Sequence, residues 1–207
     1  RQLRTTDEAA PTWMWEGTPV LLGTRLYGVL ARRRPQLEWS VVCLDAASGR
    51  LLWHRSVGMS RPAPPEPFNL ASHLLLTADR AGLYLATQWG AIAALEPTTG
   101  ALRWVVTYES DPLADRRRRP GAAAAPPALL VGDRLYVAPT DCREIFCLES
   151  RGGAVHWQQT LGERIEHLLG VEQGTLIVAG RSLFGLAADT GARRWSLESA
   201  EPEAQGY

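Results

Sequence analysis

The 207-residue sequence contains no lysine and a single asparagine, Asn69. All 22 basic residues are therefore arginine, and 22 acidic residues balance them to a formal net charge of zero. A chain without a basic excess lacks the electrostatic footprint of proteins that bind nucleic acid or anionic membranes. We therefore expect neither nucleic acid nor a membrane surface as a partner.

Long apolar runs and cysteines are also scarce. Apolar stretches such as 128–131 and 74–76 are far shorter than the roughly 20 residues of a membrane-spanning helix, so no transmembrane segment is expected. The first dozen residues lack the basic and then apolar profile of a signal peptide, so any export signal would lie outside this sequence. Three cysteines, an odd number, do not suggest a disulfide framework.

The chain does contain an internal repeat. Four times a glycine is followed, four positions later, by a tryptophan: Gly49 and Trp53, Gly100 and Trp104, Gly153 and Trp157, Gly191 and Trp195. A leucine stands five positions before each of these register glycines, and a small residue stands six positions before it. Three repeats also carry an acid four positions before the glycine. A register kept through so many positions, recurring about every 40–50 residues, identifies a structural repeat.

Each repeat predicts the same four strands. Short apolar runs rich in leucine, valine and tyrosine, bounded by glycine-bearing turns, are typical of strands. The segment before each register glycine, as in Asp189-Thr190-Gly191, places glycine where a hairpin requires a positive φ. A four-stranded antiparallel meander at this period is the unit of a β-propeller. The sequence therefore predicts an all-β propeller with four blades.

The four predicted blades belong to one propeller domain. They span residues 18–58, 73–108, 127–161 and 166–199. Residues 1–17 are expected to be a linker or the tail of a preceding blade, and residues 200–207 a tail. Residues 59–72 and 109–126 interrupt the period, and their prolines and the arginine run 116–119 predict loops between blades.

The segment from the small residue to the tryptophan occurs at residues 43–53, 94–104, 147–157 and 185–195. It resembles the tryptophan-docking motif A-x-D-x-x-T-G-x-x-x-W of the pyrroloquinoline-quinone-like, or quinoprotein-type, β-propeller repeat family. The resemblance covers about residues 18–198. It implies that each tryptophan packs on the neighbouring blade beside the small residue and the glycine peptide, while the acid and the threonine tie down the turn. The repeated glycines and tryptophans are thus expected to be structural.

Catalytic quinoprotein dehydrogenases hold pyrroloquinoline quinone over a calcium ion, with Glu, Asn and Asp ligands and often a disulfide between adjacent cysteines. This sequence has no adjacent cysteines, and Asn69 lies in the proline-rich insertion. The six or more oxygen ligands of a hard cation cannot be assembled from it. The chain resembles better the non-catalytic branch, such as the lipoprotein of the outer-membrane barrel-assembly machine. That resemblance implies a non-enzymatic scaffold without cofactor, metal or catalytic residues, located in the periplasm or elsewhere outside the cytoplasm.

Two alternatives stay open. The chain could be part of a pyrroloquinoline-quinone-dependent dehydrogenase whose catalytic ligands, and hence quinone and calcium, belong to residues outside it. Closed propellers of the family have seven or eight blades, so the remaining blades would come from the same or another chain, because an open propeller leaves blade faces uncovered.

The loops between second and third strands emerge on one face of a propeller. Trp39, Trp89, Arg143 and Arg181 fall in or beside these loops. Tryptophan and arginine are enriched at interaction hot spots, so we predict that a protein partner or a small ligand binds this face. The competing interpretation is that the two tryptophans serve packing alone.

Overall fold

The computed structural model describes residues 13–32, 38–59, 75–87, 90–110 and 126–198. Within these ranges the chain forms four separate four-stranded antiparallel sheets and no helix. In every sheet the strands are hydrogen-bonded in the order in which they occur along the chain. Each sheet is therefore a meander, and the predicted all-β propeller with four blades is confirmed.

The four blades have the following strands. Blade 1 contains β1 (Trp13–Leu22), β2 (Arg25–Arg32), β3 (Glu38–Asp45) and β4 (Leu51–Met59). Blade 2 contains β5 (Leu76–Ala78), β6 (Leu83–Ala86), β7 (Ala91–Leu95) and β8 (Leu102–Thr107). Blade 3 contains β9 (Leu129–Val131), β10 (Arg134–Val137), β11 (Glu144–Glu149) and β12 (Val155–Thr160). Blade 4 contains β13 (His167–Glu172), β14 (Thr175–Ala179), β15 (Ser182–Ala187) and β16 (Arg193–Glu198).

The first blade begins earlier than the sequence predicts. β1 starts at Trp13, so residues 13–17 belong to the first sheet and not to a linker or a preceding blade. The register of β1 against β2 shifts between Glu16 and Val20, and Gly17 in that bulge has φ 67°. The bulge interrupts the alternation of side chains, which is why the sequence pattern appears to start after it.

The hydrophobic core lies between blades. One cluster of buried side chains joins blades 1 and 2 and includes Val41 and Leu85. A second joins blades 2 and 3 and includes Ile92 and Leu135, and a third joins blades 3 and 4. A sheet face cannot bury its apolar side chains alone, so each blade depends on its neighbour for its core.

The two ends of the blades carry different loops. We call turn face the end with the register glycines, which lie between the third and fourth strands. The opposite end, the loop face, carries the connections between the second and third strands. Because the strands are antiparallel, the fourth strands also finish at the loop face, and the connections to the next blade start there.

Candidate functional site

Three of the motif tryptophans lie against the register glycine of the next blade. A Cβ added to Gly100 would stand 2.5 Å from the ring of Trp53, and one added to Gly153 would stand 2.7 Å from Trp104. The same holds for Gly191 and Trp157, at 2.5 Å. These distances are shorter than a Cβ tolerates, so the glycine leaves room for the indole ring.

Each of these indoles is also oriented by a hydrogen bond. Nε1 of Trp53 donates to the carbonyl of Pro97 at 3.1 Å, and Nε1 of Trp104 donates to Ser150 at 3.0 Å. Nε1 of Trp157 donates to Ala188 at 3.1 Å. In all three blades the acceptor is the residue three positions before the register glycine. A buried indole needs such an acceptor, and the repeat supplies it from the turn of the next blade.

The second strands contribute a tyrosine that the sequence analysis did not identify. Tyr27 and Tyr136 donate their hydroxyls to the carbonyls of Pro97 and Ala188, at 3.2 and 3.1 Å. The rings of Tyr27, Tyr84 and Tyr136 lie 6.0, 6.3 and 6.0 Å from the motif tryptophan of their own blade. The sequence does indicate these tyrosines, because a Leu-Tyr dipeptide recurs in three second strands. Blade 4 has Leu176-Ile177 at this position.

The small residues of the motif face the tryptophans across the sheet. Cys43 pairs with Trp53, and Cys147 pairs with Trp157. Both cysteines are free and fully buried, and burial raises the pKa of each thiol. Asp45 closes its turn by accepting from the backbone and the hydroxyl of Ser48, which lowers the pKa of the Asp45 carboxyl.

Blades 1 and 4 each have one half of this docking arrangement: blade 1 has the glycine turn and blade 4 has the tryptophan. In blade 1, a Cβ on Gly49 would meet no atom of the described residues within 4 Å, so none of the described tryptophans covers that turn. In blade 4, Trp195 is 41% exposed and lies over Gly185 of its own sheet. Within the described residues, the glycine turn of blade 1 therefore holds no tryptophan, and Trp195 lies against no glycine turn of another blade.

On the loop face, the Trp39 side chain packs against the neighbouring blade. It is only 4% exposed, because it shares the face of β3 with Val41 and Cys43, and that face packs against blade 2. Trp39 nevertheless lines a cavity of about 190 Å³ between blades 1 and 2. The other lining residues are Val57, Gly58, Met59, Leu85, Thr87 and Ala91.

Arg143 and Arg181 lie on the loop face near a different pair of blades, blades 3 and 4. Nη1 of Arg143 lies 3.5 Å from the carbonyl of Gly162, and Nε of Arg181 lies 3.5 Å from Oε2 of Glu163. Both arginines therefore reach the connection between blades 3 and 4, and the Arg181 side chain is 88% exposed. Trp89 lies outside the described residues.

A buried carboxylate joins blades 2 and 3 at the loop face. Asp141 accepts from the amide of Gly90 at 3.0 Å and from the hydroxyl of Tyr108 at 2.7 Å. Burial and this carboxylate raise the pKa of Tyr108. Burial also raises the pKa of the neighbouring Cys142 thiol to about 12, so this thiol is protonated and a poor nucleophile at neutral pH.

The described residues do not fit a quinone held over calcium. Across the described ranges, no group of three or more His, Cys, Asp or Glu side chains is placed to hold a metal ion. The 190 Å³ cavity is smaller than the roughly 300–1,000 Å³ of small-molecule and cofactor sites. Among the described residues, its lining offers one hydroxyl, from Thr87, and no charged group to meet carboxylates or a cation.

In the part of the chain that the structure describes, no helix is long and apolar enough to cross a bilayer.

Solved structures share this fold. BamB from Moraxella catarrhalis is 22% identical, with a TM-score of 0.57 over 88% of this chain and 48% of that one. The quinohemoprotein alcohol dehydrogenase from Comamonas testosteroni is 13% identical, with a TM-score of 0.60 over 91% and 35%. A chain of the mitotic checkpoint complex is 14% identical, with a TM-score of 0.63 over 95% and 53%. The chain thus spans about half of the BamB and checkpoint-complex chains and about a third of the dehydrogenase, and identities this low show the fold alone.

No curated protein matches the chain, but a family model does. Residues 37–120 and 90–206, which together cover most of the sequence, match the model described as outer membrane protein assembly factor BamB. The chain therefore belongs to this BamB-like family of pyrroloquinoline-quinone-like propeller repeats.

Proposed function

We propose that the chain is a non-enzymatic propeller scaffold of the bacterial cell envelope, whose loop face binds a protein partner or a small ligand. The family description, an outer membrane assembly factor, supports an envelope location and a partner that is a protein. The observation that carries the proposal is the cavity beside Trp39, because an apolar group of a partner would be buried there on the loop face.

The cavity has the chemistry of a pocket for one side chain. Trp39, Val57, Met59 and Leu85 give it an apolar wall, and the hydroxyl of Thr87 donates to the carbonyl of Ala91 at 2.9 Å at its polar edge. Fully burying a leucine or phenylalanine side chain contributes about 1.5–3 kcal/mol. A leucine or phenylalanine of a partner protein would therefore gain affinity here.

The arginines on the same face add charge to this surface. Arg181 is 88% exposed, so its 3.5 Å contact with the largely buried Glu163 is screened by solvent on the arginine side, and Glu163 also accepts from the amide of Ser182 at 2.8 Å. Such a guanidinium can exchange its partner for a carboxylate of another protein at small cost. A partner with an apolar anchor and acidic flanks fits this face best.

Binding can be followed at Trp39 itself. In protein labelled with 5-fluorotryptophan, N-acetyl-phenylalaninamide and N-acetyl-leucinamide should shift the Trp39 fluorine signal, while N-acetyl-glycinamide should not. Ala91→Leu fills the cavity and should abolish the shift. Ala101→Leu adds the same side chain in an exposed turn on the turn face and is the matched control. Equal shifts in both variants would contradict the proposed site.

The enzymatic alternative has its own test. The protein loaded with pyrroloquinoline quinone and calcium should show no dye-linked oxidation of alcohols or sugars above the rate of the free cofactor. Activity above that rate would contradict the non-enzymatic proposal. Fractionation of the host cells, with detection in the envelope rather than the cytosolic fraction, tests the location.

A further inference from the structure

One wall of the cavity beside Trp39 is formed by an irregular end of blade 1. The register of β3 against β4 shifts there between Trp39 and Ser40, whereas the third and fourth strands described in blades 2, 3 and 4 shift once each, at the turn face. The shift places Gly58 opposite Trp39, and a Cβ added to Gly58 would stand 3.6 Å from the indole ring. The backbone of β4 therefore lies against the indole, with Val57 and Met59 next to Gly58 in the chain.

Met59 borders the cavity and also meets solvent. It is the last residue of β4, which has nine residues where the fourth strands of the other three blades have six each. Its exposed fraction is 62%, and it lines the cavity together with Trp39 and Val57. A thioether in this position adds soft apolar surface to the cavity and is accessible to reagents dissolved in water.

The other sulfur atoms of the chain are placed differently. Its three cysteines, Cys43, Cys142 and Cys147, are free and buried, and burial raises the pKa of each thiol, so little reactive thiolate is present at neutral pH. The second methionine, Met14, lies in β1, is 39% exposed and stands outside the described set of residues that line the cavity. Met59 is thus the more exposed methionine and the one whose oxidation would alter the cavity.

We propose that oxidation of Met59 to its sulfoxide weakens the binding of apolar groups in the cavity beside Trp39. The inference rests on the ligand site proposed above and adds its regulation. Hydrogen peroxide transfers one oxygen atom to the thioether sulfur, which loses two electrons, while the O–O bond breaks and water leaves. The sulfoxide oxygen accepts hydrogen bonds from water, and an apolar group entering the cavity would deprive it of them. A methionine sulfoxide reductase restores the thioether, with a dithiol oxidised to the disulfide and water released.

Peroxide treatment of the 5-fluorotryptophan-labelled chain tests the switch, with mass spectrometry confirming one added oxygen atom at Met59. The N-acetyl-phenylalaninamide concentration that half-saturates the shift of the Trp39 signal should rise about fourfold or more, which corresponds to the loss of one buried methylene group of contact. Met14→Leu removes the other methionine and should keep this response. In Met59→Leu, peroxide should leave the affinity for the probe unaffected, because the leucine cannot be oxidised.

A second variant tests the same idea without an oxidant. Met59→Gln places a polar amide near the position of the sulfoxide and should bind the probe more weakly than Met14→Gln, while circular dichroism shows whether both are folded. Equal affinity of reduced and oxidised Met14→Leu would overturn the switch and leave the ligand site standing. A peroxide response that persists in Met59→Leu would overturn it as well. Absence of a shift in the reduced parent protein would contradict the ligand site itself, and the switch with it.

Discussion

At the scale of single residues, the register glycine meets two separate demands. It adopts a positive φ in the turn, and it leaves out the Cβ that would collide with the tryptophan of the preceding blade. Gly153 has φ +77° and lies against Trp104, whereas Gly132 has φ +62° and nothing within 4 Å of an added Cβ. The two glycines therefore differ in the docking demand alone.

Substituting this pair by alanine separates the two demands. Gly132→Ala should lower the free energy of unfolding by about 1–2 kcal/mol, which is the cost of the left-handed conformation. Gly153→Ala should cost about 1–3 kcal/mol more, because the methyl group overpacks against Trp104. Urea denaturation of both variants measures the difference, and equal losses would show that the tryptophan does not require a glycine.

Buried ionisable groups predict a loss of stability at high pH. Burial raises the pKa of the Cys142 thiol from 9.0 to about 12, and burial likewise raises the pKa of Tyr136 to about 12. The folded state thus holds these protons more tightly than the unfolded state. The stability that they contribute is complete below the unfolded pKa and is lost as the pH rises through the folded pKa.

The free energy of unfolding should therefore fall as the pH rises from 9.0 toward about 12. In Cys142→Ala the decline should be shallower, since one of the titrating groups is gone. Urea denaturation across this pH range checks both slopes. Identical slopes for the parent and the variant would mean that the thiol titrates alike in the folded and unfolded chain.

At the scale of elements, the blades are held together at both ends. On the turn face the motif tryptophan reaches the next blade, and on the loop face Asp141 accepts hydrogen bonds from Gly90 and Tyr108. Removing the carboxylate leaves the part-buried hydroxyl of Tyr108 and the part-buried amide of Gly90 without this acceptor. The hydrogen bonds of Asp141 should therefore stabilise the packing of blades 2 and 3 on the loop face, as the motif tryptophans do on the turn face.

Asp141→Ala should lower the free energy of unfolding by about 1–3 kcal/mol, the cost of unsatisfied buried donors. Asp133→Ala, in the exposed β9–β10 turn of the same blade, should change it by no more than about 0.5 kcal/mol. Thermal or urea unfolding of the pair measures the contrast. If both variants changed the free energy of unfolding by similarly small amounts, the hydrogen bonds of Asp141 would not be what links blades 2 and 3.

Much of this element-level picture could be predicted from the sequence, and part of it could not. The glycine-to-tryptophan register predicts the four meanders, because turn chemistry and strand patterns act locally. The bulge at Gly17 hid the start of β1, since it breaks the alternation on which strand prediction depends. The burial of Trp39 could not be predicted, because its position near a loop gives no indication of which face of β3 packs on blade 2.

The hydrogen bonds of the second-strand tyrosines and the cavity beside Trp39 could not be predicted from the sequence. Tyr27 and Tyr136 bond to carbonyls about 70 and 52 positions away along the chain, so only the packing of blades reveals their partners. The cavity beside Trp39 likewise combines residues of β3, β4 and blade 2. Trp89 and both predicted insertions, apart from their end residues, lie outside the described residues and stay predictions.

At the scale of the whole molecule, the chain is a stack in which every blade is stabilised by its neighbours. Core clusters lie between blades, and the same indole-to-carbonyl hydrogen bond recurs at all three interfaces. Nearest-neighbour stacking of this kind makes the interfaces the main source of stability in repeat proteins. The four blades should consequently open together rather than singly.

Hydrogen exchange at the indole nitrogens tests this stacking most directly. In 15N-tryptophan-labelled protein, the Nε1 protons of Trp53, Trp104 and Trp157 should exchange slowly and become exposed only when the chain unfolds globally. All three should therefore report the same opening free energy as urea denaturation. If any of the three exchanged at the rate of a free indole under native conditions, the docking of each blade on the next would be contradicted.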